Sequence, residues 1–147
     1  MIFNGPDDWR FLDKQAPRLR LETLLQWRSD AEAGDHDAQC RLGTAFLYGH
    51  GVPLNDTEAS KWLHLAAEAG HDGATFQLAG LYGKHGNVIE ARRWYRKAIE
   101  YGSVSALYQM GVLARKSGDL AEAAEWFRQA AGRGHPDAYM ELDWLGR

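Results

Sequence analysis

The hydrophobic and polar positions follow a helical spacing in three separate stretches of the chain. In each stretch an alanine, a tryptophan, a large apolar residue and two smaller or aliphatic residues recur at i, i+3, i+4, i+7 and i+8. This spacing places apolar side chains on one face of an α-helix. A glycine follows each stretch, where a helix commonly ends in the left-handed conformation. The pattern predicts three amphipathic helices with the apolar positions Ala59, Trp62, Leu63, Ala66 and Ala67; Ala91, Trp94, Tyr95, Ala98 and Ile99; and Ala123, Trp126, Phe127, Ala130 and Ala131.

A second set of helical segments lies between these three and repeats in phase with them. The segments "HDAQCRLG", "DGATFQLA", "VSALYQMG" and "PDAYMELD" begin at positions separated by 36, 32 and 32 residues, at His36, Asp72, Val104 and Pro136. Each has alanine at its third position and leucine or methionine at its seventh. This period is typical of helical repeat proteins, in which each repeat is a helix pair that buries its apolar face against its neighbours. A weaker copy of the second helix precedes them in "LETLLQWRSDAEAGD".

Small residues at the eighth position of the first helices predict close contact between paired helices. That position holds Gly43, Ala79 and Gly111 in three copies, whereas the fourth copy has Asp143. The last helix of a repeat array needs a polar outer face because no further repeat covers it. We therefore expect the segment from Pro136 to be a capping helix.

The stretch "YGHGVPLND" is the longest link between paired helices. Gly49 and Gly51 supply backbone freedom, and Pro53 blocks continuation of the preceding helix. Asp56 is predicted to be the N-cap of the next helix, and Asp119 is predicted to do the same two pairs later. The shorter links "GKHGN" and "KSGD" make the same bend without the Gly-Val-Pro portion. The stretch is therefore interpreted as a bend between helices rather than as an active-site loop.

These residues resemble the Sel-1-like repeat, a branch of the tetratricopeptide repeat superfamily. The match is densest at Ala38, Leu42, Gly43, Gly49, Gly51, Val52, Asp56, Ala59, Trp62, Leu63, Ala66, Ala67 and Gly70. The following repeats lose four residues between their helices, because Phe46 to Ala59 is 13 positions whereas Tyr82 to Ala91 and Ala114 to Ala123 are each nine. They are similar to plain tetratricopeptide repeats. The resemblance covers about Leu21 to Leu145. It implies an all-α protein, a right-handed α–α superhelix of helix pairs with about eight or nine helices.

The repeats predict a single domain over residues 1–147. We expect an N-terminal cap and partial repeat at 1–35, repeats at 36–70, 71–102 and 103–134, and the capping helix at 135–147. The segment "PDDWRFLDKQ" is expected to add an N-terminal helix, with Trp9 and either Phe11 or Leu12 packing inward.

Composition limits the partners and the compartment. The formal charge of −3 and the pI near 6.0 give no support for nucleic-acid binding. No apolar run approaches the roughly 20 residues that span a membrane, and the first residues lack the pattern of a signal peptide. Cys40 is the only cysteine, so no internal disulfide forms. We expect a bacterial cytoplasmic protein, or a periplasmic one if a leader has been removed, and a monomer or weak dimer.

The sequence offers no catalytic residue, cofactor site or metal site. No two of the six histidines have the i, i+4 spacing of a helical zinc site, and no nucleophile elbow or phosphate-binding fingerprint occurs. His71 and His135 share one repeat position, where local helix capping is the expected role. Trp62, Trp94 and Trp126 recur in phase and are expected to pack between helices. Trp144 is off that pattern, and sealing the last helix layer is favoured for it over a partner contact.

The resemblance implies that the first helices line a concave face, which is the expected binding surface. Its mixture of aromatic, glutamine and basic side chains suits a protein or peptide partner, with the aromatics and arginines as candidate hot spots. Phe76, Tyr108 and Met140 occupy the fifth position of their helices, where a role as half-buried packing residues is weighted equally with a binding role. Some related repeats clamp a carboxylate with Lys and Asn at the fifth and ninth positions, and the residue pairs here do not match that clamp. The candidate partner-binding residues are Arg41, Thr44, Phe76, Gln77, Lys84, Tyr108, Gln109, Arg115, Lys116 and Trp144.

The leading hypothesis is a non-enzymatic protein–protein interaction module that binds a protein or peptide on this concave face. A narrower alternative is a bacterial immunity protein that neutralises a toxic effector, which an adjacent effector gene would support. The alternative from another class is a hydrolase or metal-dependent enzyme that uses the loops bearing His50 and His85.

Overall fold

The computed structural model describes residues 18–146, which form eight α-helices and no β-strand. The prediction of an all-α protein is confirmed. The predicted N-terminal helix "PDDWRFLDKQ" lies outside the described residues. The helices are α1 (Arg18–Glu32), α2 (His36–Tyr48), α3 (Asp56–Glu68), α4 (Asp72–Lys84), α5 (Val88–Glu100), α6 (Val104–Lys116), α7 (Leu120–Gly132) and α8 (Pro136–Leu145).

A glycine in the left-handed conformation separates one helix pair from the next. The glycines at positions 34, 70, 102 and 134 have φ angles of 96°, 91°, 90° and 90°, as the helix-end prediction requires. Asp35 caps α2 by accepting a hydrogen bond from the Ala38 amide at 3.1 Å, and Ser103 caps α6 in the same way. Each turn therefore ends one helix and starts the next within a few residues.

The N-cap of α3 lies one residue before the predicted position. Asn55, with an extended backbone at φ −149° and ψ 100°, accepts from the Glu58 amide at 3.1 Å. Asp56 is already the first helical residue, so the prediction for it was wrong. Its carboxylate lies in the first turn, where it complements the positive end of the helix dipole. The predicted cap at Asp119 is confirmed, since its side chain accepts from the Glu122 amide at 2.9 Å.

The long link between α2 and α3 is a bend, as predicted. Gly49 and Gly51 have φ angles of 70° and 78°, which other residues rarely adopt. Val52 is buried, and the Asn55 amide donates to the Phe46 carbonyl at 2.9 Å. The link thus turns back onto the end of α2 and begins α3.

The chain divides into two compact units. The N-terminal unit ends at Leu81 and the C-terminal unit begins at Tyr82, within α4. In the N-terminal unit α2 packs against α1 and α3, and in the C-terminal unit α6 and α7 pack together, with α5 against α6 and α8 against α7. The core of the C-terminal unit is a buried cluster of Leu107, Ala114, Ala123, Phe127, Ala130, Ala131 and Ala138.

Both units depend on a glycine at a helix contact. A Cβ atom added at Gly43 would lie 2.7 Å from the Leu63 Cγ atom, and one added at Gly111 would lie 2.6 Å from Phe127 ring carbons. These distances are shorter than van der Waals contact, so only glycine lets the paired helices approach this closely. The predicted role of the eighth position is confirmed.

The in-phase tryptophans pack between helices. Trp62 and Trp94 are buried, and Trp126 is half-buried against the core of the C-terminal unit. The Trp126 indole Nε1–H donates to Glu122 at 3.1 Å, and Glu122 is also ion-paired with Arg92 of α5. The hydrogen bonds from Trp126 and Arg92 lower the pKa of Glu122. This carboxylate therefore links α5 to α7.

The first prediction concerns the contact at Gly111. Gly111→Ala should lower the free energy of unfolding by about 1–3 kcal/mol, because the added methyl group overlaps the rigid Phe127 ring. Urea unfolding followed by circular dichroism measures the change. Gly132→Ala is the matched control, since nothing lies within 4 Å of its added Cβ and alanine is favoured over glycine in a helix. A Gly111→Ala protein as stable as this control would contradict the assigned contact.

The second prediction concerns Glu122. A carboxylate with a lowered folded pKa contributes stability above its unfolded pKa and loses that contribution as pH falls through the folded value. Glu122→Gln should therefore destabilise the protein at pH 7, and the difference from wild type should shrink in acid. Urea unfolding of the wild type and the variant at pH 7 and at a series of acidic pH values provides the test. Glu125→Gln is the control, because it removes only an exposed ion pair with Arg128, and it should destabilise the protein less. Equal destabilisation by the two variants would contradict the assigned role of Glu122 in linking α5 to α7.

Candidate interaction surface

A cleft of about 420 Å³ opens beside α8 in the C-terminal unit. One of its lining residues comes from the end of α6 and four come from α8. We call it the α8 cleft. Its lining residues are Arg115, Met140, Glu141, Asp143 and Trp144.

A polar network on one side of the cleft joins α6 to α8. Glu141 is ion-paired with Arg115, and it accepts a hydrogen bond from the Tyr108 hydroxyl at 3.3 Å. The Arg115 and Glu141 side chains are only 31% and 17% exposed. Partial burial strengthens such charge-assisted contacts relative to those of fully solvated pairs. The network thus fixes the two charged groups before any partner binds.

In addition to its hydrogen bond, Tyr108 makes packing contacts through its ring. Its ring stacks on His135 with centroids 4.4 Å apart and an interplanar angle of 9°, and it meets Phe127 at 5.5 Å. The ring is half-buried. The interpretation of Tyr108 as a packing residue therefore holds, while its hydroxyl still reaches the residues of the cleft.

The electrostatic surroundings of Tyr108 are negative. Burial raises the pKa of the phenol most, and the charge of Glu141, its hydrogen bond and the charge of Asp137 raise the pKa further. Arg115 acts in the opposite direction but does not cancel them. A negative field disfavours a second negative charge on the phenol, so Tyr108 keeps the proton that it donates to Glu141.

His71 caps its helix as expected, whereas His135 does not. His71 Nδ1 accepts from the Ala74 amide at 3.1 Å, and its Nε2 lies 2.7 Å from Asp37. His135 makes no side-chain cap, and its Nδ1 is buried without a hydrogen-bond partner. The first helix of the preceding repeat explains the difference. In α6, Ser105 and Tyr108 occupy the positions that Asp37 and Cys40 occupy in α2, and the His135 ring stacks on Tyr108.

Two large apolar side chains of the cleft face solvent. Met140 is 72% exposed and Trp144 is 59% exposed. They are four residues apart on α8 and therefore lie on the same side of the helix. Clustered exposed apolar groups with a polar rim are typical of interaction sites.

The other candidate residues are distributed between the two units. In the N-terminal unit the Arg41 guanidinium lies 6.0 Å from the Trp27 ring centroid, and Gln77 accepts from the Tyr48 hydroxyl at 3.0 Å. The Thr44 hydroxyl donates to the Cys40 carbonyl at 2.8 Å, within its own helix. Phe76 and Gln109 are half-buried, and Lys84 and Lys116 are exposed.

Of the ten candidates, Arg115 and Trp144 line the cleft and Tyr108 reaches it through Glu141. The list omits Met140, Glu141 and Asp143. The sequence does contain a signal for Glu141. The residue at the sixth position of a first helix contacts a side chain at the end of the first helix of the preceding repeat. Tyr48 reaches Gln77 in this way, and Arg115 reaches Glu141.

The described residues contain no group of three or more His, Cys, Asp and Glu side chains placed to hold a metal ion. Burial raises the pKa of the Cys40 thiol, which keeps it in the weakly nucleophilic neutral form. His50 stacks on Tyr48 with centroids 5.6 Å apart. No helix between residues 18 and 146 is long and apolar enough to cross a membrane.

Comparisons with known proteins define the class. Residues 36–71 and 73–103 match the Sel1 repeat, and residues 104–133 match a tetratricopeptide repeat. A Sel1 repeat protein from Oxalobacter formigenes is 32% identical with a TM-score of 0.62, over 83% of this chain and 98% of the other. The fold and these matches define a helical repeat protein of the tetratricopeptide type. Within that class, the chain belongs to the Sel1 repeat family.

Two further similarities cover only parts of longer proteins. A protective antigen of uropathogenic Escherichia coli with an SLR fold is 30% identical, with a TM-score of 0.73 over 82% of this chain and 28% of the antigen. An F-box protein of Arabidopsis thaliana is 44% identical over 63 residues, which are 43% of this chain and 17% of that protein. The chain therefore spans less than a third of either relative.

The third prediction concerns the Tyr108 hydroxyl. Tyr108→Phe should lower the free energy of unfolding at pH 7 by about 0.5–1.5 kcal/mol, because it removes the hydrogen bond to Glu141. A raised folded pKa contributes stability that is present below the unfolded pKa of about 10 and is lost as pH rises through the folded value. The difference between wild type and variant should therefore shrink in alkali.

Urea unfolding at pH 7 and pH 11 measures both effects. Tyr139→Phe, on the exposed Tyr139 ring of α8, is the matched control and should leave stability unchanged. A loss at pH 7 no larger than that of the control would show that the bond to Glu141 contributes nothing.

Proposed function

We propose that this protein is a non-enzymatic interaction module that binds a protein or peptide partner, and that the α8 cleft is its main contact surface. The observation that carries the proposal is the combination of exposed Met140 and Trp144 with the fixed Arg115–Glu141 pair beside them. Membership of the Sel1 repeat family supports a protein partner.

The energetics of the cleft favour a macromolecular partner. Burying one large apolar side chain contributes about 1.5–3 kcal/mol, and Met140 and Trp144 leave most of their surface free for such burial. Tryptophan and arginine are common hot-spot residues in protein interfaces. Because the charged pair is already ordered by the fold, little side-chain entropy remains to be lost on binding.

The remaining candidates form secondary contact surfaces in this proposal. Arg41 and Gln77 present polar groups on the N-terminal unit, while Lys84, Gln109 and Lys116 extend the surface of the C-terminal unit. Two observations support a non-catalytic role for the His71 imidazole and the Cys40 thiol, which lie outside the cleft. Both His71 ring nitrogens make structural hydrogen bonds, and the Cys40 thiol is held neutral.

The fourth prediction tests the cleft as the contact surface. A partner that co-purifies with the tagged full chain is isolated, and its affinity for the protein is measured by isothermal titration calorimetry. Met140→Ala and Trp144→Ala should each weaken this binding about tenfold or more, because each removes a large part of the apolar contact. The identity of the partner also separates an adaptor role from inhibition of a toxic effector.

Ile89→Ala provides the control, since Ile89 of α5 is 81% exposed and lies outside the cleft. This variant should bind like wild type. A stoichiometric partner whose affinity is unchanged by both cleft substitutions would rule out the α8 cleft as its contact surface.

A further inference from the structure

We propose that the face of α8 formed by Tyr139 and Asp143 binds an amphipathic helix of a partner protein, which takes the place that a second helix occupies in the other repeats. This helix carries alanine or glycine where it crosses Asp143. We call the surface the open face of α8. Tyr139 and Trp144 are five residues apart, which places them about 140° apart around the helix. The open face is therefore distinct from the apolar side of the α8 cleft, and the inference goes beyond the proposed function.

In the third repeat, three positions of the first helix face the second helix. Leu107 and Ala114, at the fourth and eleventh positions of α6, belong to the buried cluster that residues of α7 complete. Gly111, at the eighth position, lies directly against the Phe127 ring of α7. The three positions are three or four residues apart and form one stripe along α6. This stripe is the part of α6 that α7 covers.

The same stripe is uncovered in α8. The fourth position is buried in α2, α4 and α6, whereas Tyr139 of α8 is 59% exposed. The eighth position is buried in the three earlier helices and exposed at Asp143. Ala138, at the third position, is buried in the core of the C-terminal unit. The inner side of α8 is thus packed as in a repeat, and within the described residues no further helix covers its other side.

The repeats show which kind of element fits this face. The covering element is an α-helix in both units, since α3 packs against α2 and α7 packs against α6. Each covering helix is 13 residues long and buries an apolar stripe. A partner helix on α8 would continue an interface that the chain already forms twice. Packing of an amphipathic helix by its apolar face is a recurrent mode of protein recognition.

The residue at the eighth position limits the size of the residue that faces it. A Cβ atom added at Gly43 would lie 2.7 Å from the Leu63 Cγ atom. One added at Gly111 would lie 2.6 Å from Phe127 ring carbons. In α8 the glycine is replaced by Asp143, so a leucine or phenylalanine in the covering helix would overlap its side chain. Alanine or glycine there restores the balance of volumes. The relevant property of Asp143 is its size rather than its charge.

A second copy of this chain fits the open face poorly. Two α8 helices placed face to face would each have to offer a small residue to Asp143 of the other copy. Ala138 is the one alanine or glycine between Pro136 and Leu145. It is fully buried in the core of its own chain. The complementary small residue therefore has to come from a different helix.

The experiment uses a synthetic α7 helix, residues 120–132, as the probe. The peptide is cross-linked on its polar face, because isolated helices of this length are marginally stable. One form keeps Phe127 and the other carries Phe127→Ala. Fluorescence polarisation measures the binding of each form to the full chain. The wild type should bind the alanine form about tenfold more tightly, because phenylalanine overlaps Asp143. Asp143→Gly should reverse this preference, since it recreates the environment of Gly111.

Two tyrosine variants locate the bound helix. Tyr139→Ala should weaken binding of the alanine form about tenfold, because it removes the largest apolar contact of the open face. Tyr101→Ala is the matched control on another exposed tyrosine, at the end of α5, and should bind like wild type. Thermal unfolding of each variant checks that the fold is retained. Asp143→Ala, which preserves helix propensity better than glycine, is a second test and should reduce the preference for the alanine form.

The outcomes separate this inference from the proposed function. Absence of binding by both forms, or a preference that Asp143→Gly and Asp143→Ala leave unchanged, would overturn the inference alone. Binding that is weakened by Trp144→Ala but not by Tyr139→Ala would place the helix in the α8 cleft, which overturns the inference and supports the proposed function. Light scattering that shows a dimer broken by Tyr139→Ala would establish a second copy as the occupant and would also overturn it.

Discussion

The close approach of paired helices at a glycine is the constraint on which the rest of the structure depends. In the N-terminal unit Gly43 meets Leu63, and in the C-terminal unit Gly111 meets the Phe127 ring. Any side chain at these positions would push the helices apart. Because interiors are close-packed, such a displacement would be transmitted to every side chain that the helices carry.

The candidate surface follows from this contact in the C-terminal unit. Gly111 seats α6 against α7 through Phe127, and the same Phe127 ring meets Tyr108 of α6. Tyr108 in turn stacks on His135 and reaches Glu141, which holds Arg115. A chain of contacts therefore runs from a core glycine to the charged pair in the cleft. Met140 and Trp144 of α8 stay outside these contacts and face solvent.

The sequence predicts the helices and turns well because their determinants are local and recur in phase. Apolar spacing, terminal glycines and small eighth positions all point to the same structure, and the structure confirms them. The cap of α3 could not be placed to the residue, since Asn55 and Asp56 are both good capping residues and only the backbone angles separate them. His71 and His135 differ because of residues on the preceding helix. Similarly, Glu141 depends on a contact with Arg115, which lies 26 positions earlier in the chain.

Among the in-phase tryptophans and the tryptophan of α8, Trp144 is the one that the described structure leaves exposed. Trp62 and Trp94 are buried, whereas Trp144 is 59% exposed. The most direct measurement is the indole N–H region of a ¹⁵N-correlated NMR spectrum, which reports separately on the six tryptophans. On titration with a partner, the Trp144 signal should shift while those of Trp62 and Trp94 stay in place. A saturating partner that leaves the Trp144 signal unshifted would show that Trp144 is not part of the contact surface.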